Sequence, residues 1–352
     1  MMTLSLSVTD VHPGIVIAAG AENDRAYDSR KGGNCMIRRY TMRFGKWARY
    51  ATGRSYQHVP QGVGQAFRPW ALEGYFNDLT GKANWTGATG AYGVPVVQTD
   101  TDPAFSFPIV VFQWALGNWD AALLGRVPEG KERLMQAARW AAETIDERGG
   151  WSCWHALRRP TISFYSAMAQ GEGLSVLARA AISEPDGPWR DVAGRAYYFL
   201  MNSGEEGLTR RFDDILALEE YPGNAMPAVL NGWMFALVGI VDYAVLTGDP
   251  AVAAQSRALA ADLARALPRF DTGYWSTYDL AGNVASPFYH ELHIAQLDAL
   301  ARVFPEQEAT FRQTREAFQR YLGSRTKRAR AIVVKVGQKL RQADVGEMRE
   351  AS

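Results

Sequence analysis

Seventeen consecutive residues, from Ala225 to Val241, carry no charged side chain. A helix that is apolar on every side must be surrounded, either by lipid or by other protein elements. The stretch is slightly short for a membrane span and contains Pro227, Asn231, Gly232 and Gly239. The simpler reading is the inner helix of a large helical domain. Flanking segments agree with it. Leu134, Ala137, Ala141 and Ile145 recur at helical spacing, as do Leu174, Leu177, Ala181 and Ile182. Asp249-Pro250 is a helix start, an N-cap followed by proline, and Leu259, Leu263 and Leu267 then recur every four residues. A last such segment runs from about Pro305 to Leu322, with Phe311 and Phe318 on one face. Breakers fall between them at Gly149-Gly150, Pro185-Asp186-Gly187-Pro188, Gly223, Gly248-Asp249-Pro250 and Asp271-Thr272-Gly273. From residue 105 onward the pattern predicts roughly eight or more helices in antiparallel pairs. A solenoid or a closed α/α toroid would satisfy it. Residues 1–104 read differently, as a glycine-rich lead-in or small subdomain with loops, short strands and helix-like stretches at Met36–Tyr50 and Phe67–Leu79.

The chain has 352 residues, 47% hydrophobic and 21% charged, which excludes a largely disordered protein. A net charge of +1 argues against a protein built to grip a nucleic-acid backbone. Two cysteines, Cys35 and Cys153, make neither a disulfide framework nor a four-thiolate zinc site. The balance hides an asymmetry. Residues 323–352 hold eight basic and three acidic side chains, a net +5, and the rest of the chain carries −4. The tail, with its apolar run Ala331-Ile332-Val333-Val334, is expected to be a solvated, partly helical terminus or a peripheral contact for an anionic membrane or polymer. No Lys or Arg precedes Arg25, so no signal peptide is read and the expected location is the cytoplasm, with the inner membrane surface as the one candidate membrane contact.

Five histidines are present, His12, His58, His155, His290 and His293. Only the last two are close, and their i, i+3 spacing is not the metalloprotease pattern. No metal or other cofactor is expected. Nucleophile-elbow and phosphate-loop patterns are absent. Four segments place polar residues inside apolar helical surroundings: Phe164 to Gly173, Leu218-Glu219-Glu220-Tyr221-Pro222 ahead of Asn231-Gly232-Trp233, Thr277-Tyr278-Asp279-Leu280, and Phe288 to His293. Buried polar groups need partners, so each is a core network or part of a site. Four in succession, each at a helix start or loop, point to a shared cleft.

The strings TISFYSAMAQGEGLSVLARA, LEEYPGNAMPAVLNGWMFALVGIVDY, DTGYWSTYDL and FYHELHIAQL resemble, in order and spacing, the C-terminal domain of D-glucuronyl C5-epimerases, which convert glucuronate to iduronate in heparosan and heparan chains. The resemblance covers about residues 105–322. It implies a mainly α protein, an (α/α) toroid over 105–322 following the short mixed lead-in of 1–104, with 323–352 as a basic tail. It also implies a glucuronate-containing acidic polysaccharide as substrate. A homodimer is a further expectation. By the same resemblance Glu220, Tyr221, Tyr278 and Tyr289 are the catalytic candidates, with Glu220 and Tyr289 as the opposed acid/base pair and Tyr221 and Tyr278 tuning or positioning. Gln170, Asn231, His290 and His293 are the candidates for hydrogen-bonding the uronate.

C5 epimerisation removes a proton beside a carboxylate and returns one to the opposite face, so it needs two acid/base groups and donors for the enolate-like intermediate. A glutamate serves if burial raises its pKa, and a tyrosine if hydrogen bonds or positive charge lower its own. The chain departs from the family where Arg commonly follows Tyr-Asp-Leu, here Ala281, and where Arg-Trp-Asp precedes Tyr-His, here Ser286-Pro287-Phe288. Each unreplaced charge-assisted contact is worth about 1.5–3 kcal/mol. Arg158 and Arg159 are candidate replacements. Two other readings stay open: a polysaccharide lyase, which abstracts the same proton and then expels the C4 oxygen, and a non-catalytic glycan-binding protein. The aromatic content, 12% of the chain, adds Trp151, Trp233 and Trp275 as candidates for sugar stacking or for core packing.

Overall fold

The computed structural model describes residues 59–97, 104–153, 163–222 and 228–350. Cys35, His12, His58, His155, Arg158, Arg159 and the expected helix at Met36–Tyr50 lie outside the described residues. The described chain is mainly α, with nine α-helices: α1 (Pro108–Leu123), α2 (Gly130–Thr144), α3 (Ala167–Ser183), α4 (Trp189–Met201), α5 (Leu230–Thr247), α6 (Pro250–Ala266), α7 (Pro287–Val303), α8 (Glu308–Gly323) and α9 (Arg325–Glu350). One antiparallel hairpin, β1 (Thr209–Phe212) and β2 (Ile215–Leu218), pairs Thr209 with Leu218.

The first eight helices form four hairpins. α1, α3, α5 and α7 pack one against the next, and α2, α4, α6 and α8 return along their outer sides. Burial separates the two sets. Val111–Ala121 of α1, Ala167–Ala181 of α3 and Leu230–Asp242 of α5 are buried without a break. The outer helices bury one stripe only, for example Leu259 and Leu263 of α6 and Phe311 and Phe318 of α8. Ile182, expected on the apolar face of α3, is exposed. The uncharged run thus forms an inner helix. α5 is long and apolar enough to cross a membrane, and most of it is buried within the protein.

The tightest helix pair is α3 with α5, where Gly171 and Gly239 face each other. A Cβ on Gly239 would lie 2.1 Å from the Gly171 carbonyl oxygen and 2.3 Å from its Cα. Those neighbours are backbone and cannot turn aside. Gly239→Ala is therefore expected to cost about 3 kcal/mol, read as an earlier urea midpoint. A loss below about 0.5 kcal/mol would show that the helices part without penalty.

The helix expected at Phe67–Leu79 does not form. Pro69 and Gly74 interrupt it, Trp70 has φ +54°, and the segment folds back through the bridges Val63–Asn77 and Phe67–Gly74. Its apolar residues serve the main core: Tyr75 stacks on Phe235 of α5 at 6.4 Å and Phe76 meets the same ring edge-on at 5.4 Å. The segment expected as a solvated, partly helical tail forms α9, whose described side chains are exposed or half-buried apart from Ala331. α9 buries Ala331 and packs Val334 against the loop before α7.

Candidate functional site

Hydrogen bonds tie the starts of α3 and α5 to the loop that precedes the next inner helix. The Ala167 N–H at the start of α3 donates to the Glu219 carbonyl at 3.0 Å, and the Leu230 N–H at the start of α5 donates to the Tyr278 carbonyl at 3.0 Å. Ser166 and Ser286 cap α3 and α7 through their hydroxyls, accepting from the Ala169 and Tyr289 N–H groups. β2 ends at Leu218 and delivers Glu219, Glu220 and Tyr221 into the same region. Four candidate residues from three sequence segments meet there. The Tyr278 hydroxyl donates to Tyr221, and the Tyr221 hydroxyl donates to the Glu220 carboxylate. The Tyr278 and Tyr289 rings meet edge-to-face with centroids 4.9 Å apart. Tyr221 packs against two apolar clusters, one containing Cys153 and Ala169 and the other Val229 and Tyr278.

Glu220 is 4% exposed, and its Oε2 is buried without a hydrogen-bond partner among the described residues. Burial pushes its carboxyl up to about 8, against the Tyr221 hydrogen bond and with help from the neighbouring Glu219 charge. Only glycine fits opposite. A Cβ on Gly232, in the first turn of α5, would lie 2.2 Å from Glu220 Oε2. Glu219 is held differently. Its two oxygens accept from the Ala228 N–H at 3.2 and 3.0 Å, and burial raises it to about 7 while Arg210 pulls the other way. Burial also pushes the Tyr221 and Tyr278 hydroxyls well above the usual phenol range. These tyrosines are neutral donors in the resting site; the lowered pKa expected for a basic tyrosine is not found in them.

The remaining candidates are spread over the walls. Gln170 is fully buried, with its Oε1 accepting from the Trp151 N–H at 3.1 Å and its amide donating to the Gly149 and Ala196 carbonyls. His290 is stacked 3.7 Å from Trp275 and held between Ser276 and the Phe318 carbonyl. His293 shares the Ser276 hydroxyl at 3.0 Å, and its Nε2 has no described partner; nor has Asn231 Oδ1. Burial lowers His290 to about 4 and His293 well below the usual imidazole range. Both are therefore neutral and cannot offset a carboxylate charge. Trp151, Trp233 and Trp275 are fully buried, so they pack the core and offer no face to a sugar.

One network was not foreseen. Glu172 on α3 accepts from Gln113 of α1 at 2.7 Å, and Gln113 accepts from Lys82 at 2.5 Å. Burial raises Glu172 well above the carboxylate range and lowers Lys82 to about 8. Glu172 lies within electrostatic reach of Glu220, and the buried Cys153 within reach of both. A lone charge in the otherwise uncharged first turns of α3 was a legible signal for Glu172. Lys82 sits in irregular structure and gave none.

Residues 151–320 match the family model described as the D-glucuronyl C5-epimerase C-terminus. The D-glucuronyl C5-epimerase of Caenorhabditis elegans is 32% identical over a 193-residue alignment that covers 47% of this chain and 31% of that protein. The chain therefore spans about a third of the length of the curated relative it matches.

Proposed function

Since residues 151–320 belong to the D-glucuronyl C5-epimerase C-terminal family, we propose that the chain is a uronate C5-epimerase. The substrate is a glucuronate-containing polysaccharide of the heparosan kind and the product carries iduronate. In the same reading the succession of hairpins is an (α/α) toroid with the substrate cleft at the end where the inner helices start. The observation that carries the proposal is Glu220: a buried carboxylate with one oxygen held by Tyr221 and the other unpartnered, facing a pair of tyrosines in contact with each other.

The steps follow from the protonation states. The Glu220 carboxylate takes the C5 proton from one face, and the C–H electron pair moves into the enolate of the adjacent carboxylate. Hydroxyl donors stabilise that charge most where it develops, which is how they lower the barrier. The Tyr289 hydroxyl gives its proton to the opposite face of C5. Solvent then reprotonates Tyr289 and takes the proton from Glu220. Tyr221 and Tyr278, linked as donors toward Glu220, orient the carboxylate. Asn231 and His293, each with a buried atom lacking a described partner, are assigned to the substrate. Gln170 and His290 are assigned to supporting the walls.

The base form of Glu220 is populated only above its raised pKa, near 8. kcat/KM is therefore expected to climb about tenfold per pH unit below pH 8. A flat profile between pH 5.5 and 8 would remove Glu220 from the base role. The reaction itself is tested with a heparosan oligosaccharide in deuterated water. Deuterium at C5 with new iduronate supports epimerisation. Unsaturated chain ends identify a lyase, and no exchange on any of a panel of glucuronate glycans leaves only a binding protein.

A further inference from the structure

The cleft proposed above takes an acidic sugar chain, yet the described residues around the tyrosine pair are mostly acids. Glu219, Glu220 and Asp279 are all buried there, and residues 279–286, which run between Tyr278 and Tyr289, contain neither Lys nor Arg. Lys82 is engaged by Gln113, and Arg210 acts on Glu219. The cation that reaches the tyrosines comes from α9, beyond the residues matched by the family model. Lys335 Nζ lies over the Tyr278 ring, 5.8 Å from its centroid. Lys335 forms no ion pair with a described residue; Asp279, the acid nearest to it in effect, is already occupied by the backbone and side-chain nitrogens of Asn283 at 3.0 and 2.7 Å.

This placement is built rather than incidental. Gln338, one turn after Lys335, grips the loop twice: its Oε1 accepts from the Val284 N–H at 2.9 Å and its amide donates to the Gly282 carbonyl at 2.9 Å. Ala331, one turn before Lys335, is 2% exposed in the same apolar cluster as Tyr278, Val284 and Ala285. Earlier in the helix Lys327 donates to the Gly273 carbonyl at 3.0 Å and sits 4.1 Å from the Tyr321 ring. A helix anchored on both sides of one lysine holds that lysine in register with the loop.

We propose that α9 is part of the substrate cleft and that Lys335 is its cationic contact, receiving the carboxylate of the uronate chain beside Tyr278. The assignment rests on the glucuronate reading of the same cleft. Burial lowers the Lys335 ammonium to about 8 while the Asp279 charge pulls the other way, and below that pH a half-buried ammonium is a stronger partner for a carboxylate than one in bulk water.

Isothermal titration of the full chain with a heparosan hexasaccharide, and with the same hexasaccharide reduced at its carboxyl groups, tests this. Lys335→Met is expected to weaken the native hexasaccharide about tenfold, the size of one charge-assisted contact, and to leave the reduced one unchanged. Lys335→Arg should stay within about threefold of the wild type. Lys335→Gln is the second neutral variant should the methionine impair folding. Unchanged binding in the neutral variants, or equal weakening toward both sugars, would overturn the assignment. A wild type that binds neither sugar overturns it together with the uronate reading. A wild type that binds the native sugar but exchanges no C5 hydrogen removes the epimerase reading alone.

Discussion

Glu220→Gln is expected to slow C5 exchange by about 10³-fold, within the range that one positioned acid/base group supplies. The amide keeps the shape and still accepts from Tyr221, but it cannot take a proton at Oε2, the buried oxygen that no described residue engages. The loss should appear in kcat with little change in KM, since the substitution leaves the walls intact. It should also be equal from either side, because the group that removes the proton from glucuronate must return it when iduronate reacts. Tyr289→Phe should behave differently. Glu220 can still remove the C5 proton and give back a solvent deuteron on the same face. Glucuronate then gains deuterium while no iduronate appears. Mass spectrometry and NMR of one reaction in deuterated water separate the two variants. A Glu220→Gln protein within tenfold of wild-type exchange would sink the assignment.

Asp242→Ala is expected to destabilise the fold by about 3–5 kcal/mol without touching the cleft. Arg179, 1% exposed at its side chain, donates to Asp242 at 2.7 Å, to the Ser175 carbonyl at 2.9 Å and to the Gly74 carbonyl at 3.1 Å. Its guanidinium also sits 5.3 Å from the Tyr75 ring. Removing the carboxylate strands a buried positive charge at the joint between α3, α5 and the lead-in. The paired substitution Arg179→Met with Asp242→Leu removes both charges and should recover most of the loss. Urea unfolding of the three proteins checks this; a single-variant loss under 1 kcal/mol would show that water reaches the pair.

The helical succession was legible because burial there is periodic. Leu259 and Leu263 face inward as their spacing requires, and Asp249 caps α6 through the Ala251 N–H at 2.8 Å. Legibility failed where periodicity carries no direction. α3 is buried all round at its start, so spacing could not tell Gln170, which turns toward Gly149 and Ala196, from Glu172, which turns toward Gln113. In α7 the adjacent Tyr289 and His290 diverge in the same way, one to the Tyr278 ring and the other to Trp275. The apolar residues of Phe67–Leu79 resembled a helix by composition, but Pro69 and Gly74 left them to fill a core set by distant elements. α9 is helical and mostly solvent-facing, as its charges suggest, but its attachment through Ala331, Val334 and one glutamine was not legible in its composition.

The links from the starts of α3 and α5 to the loops that follow them also set an order in time. Glu219 is secured by the start of α3, Tyr278 by the start of α5, and the loop after Tyr278 by Gln338 near the C-terminus. As the chain emerges during synthesis, each new loop meets an anchor that already exists, until the last one waits for α9. The proposed cleft is therefore finished only once α9 has been made, and a chain ended before Gln338 would carry the proposed base without the helix that holds the loop after Tyr278.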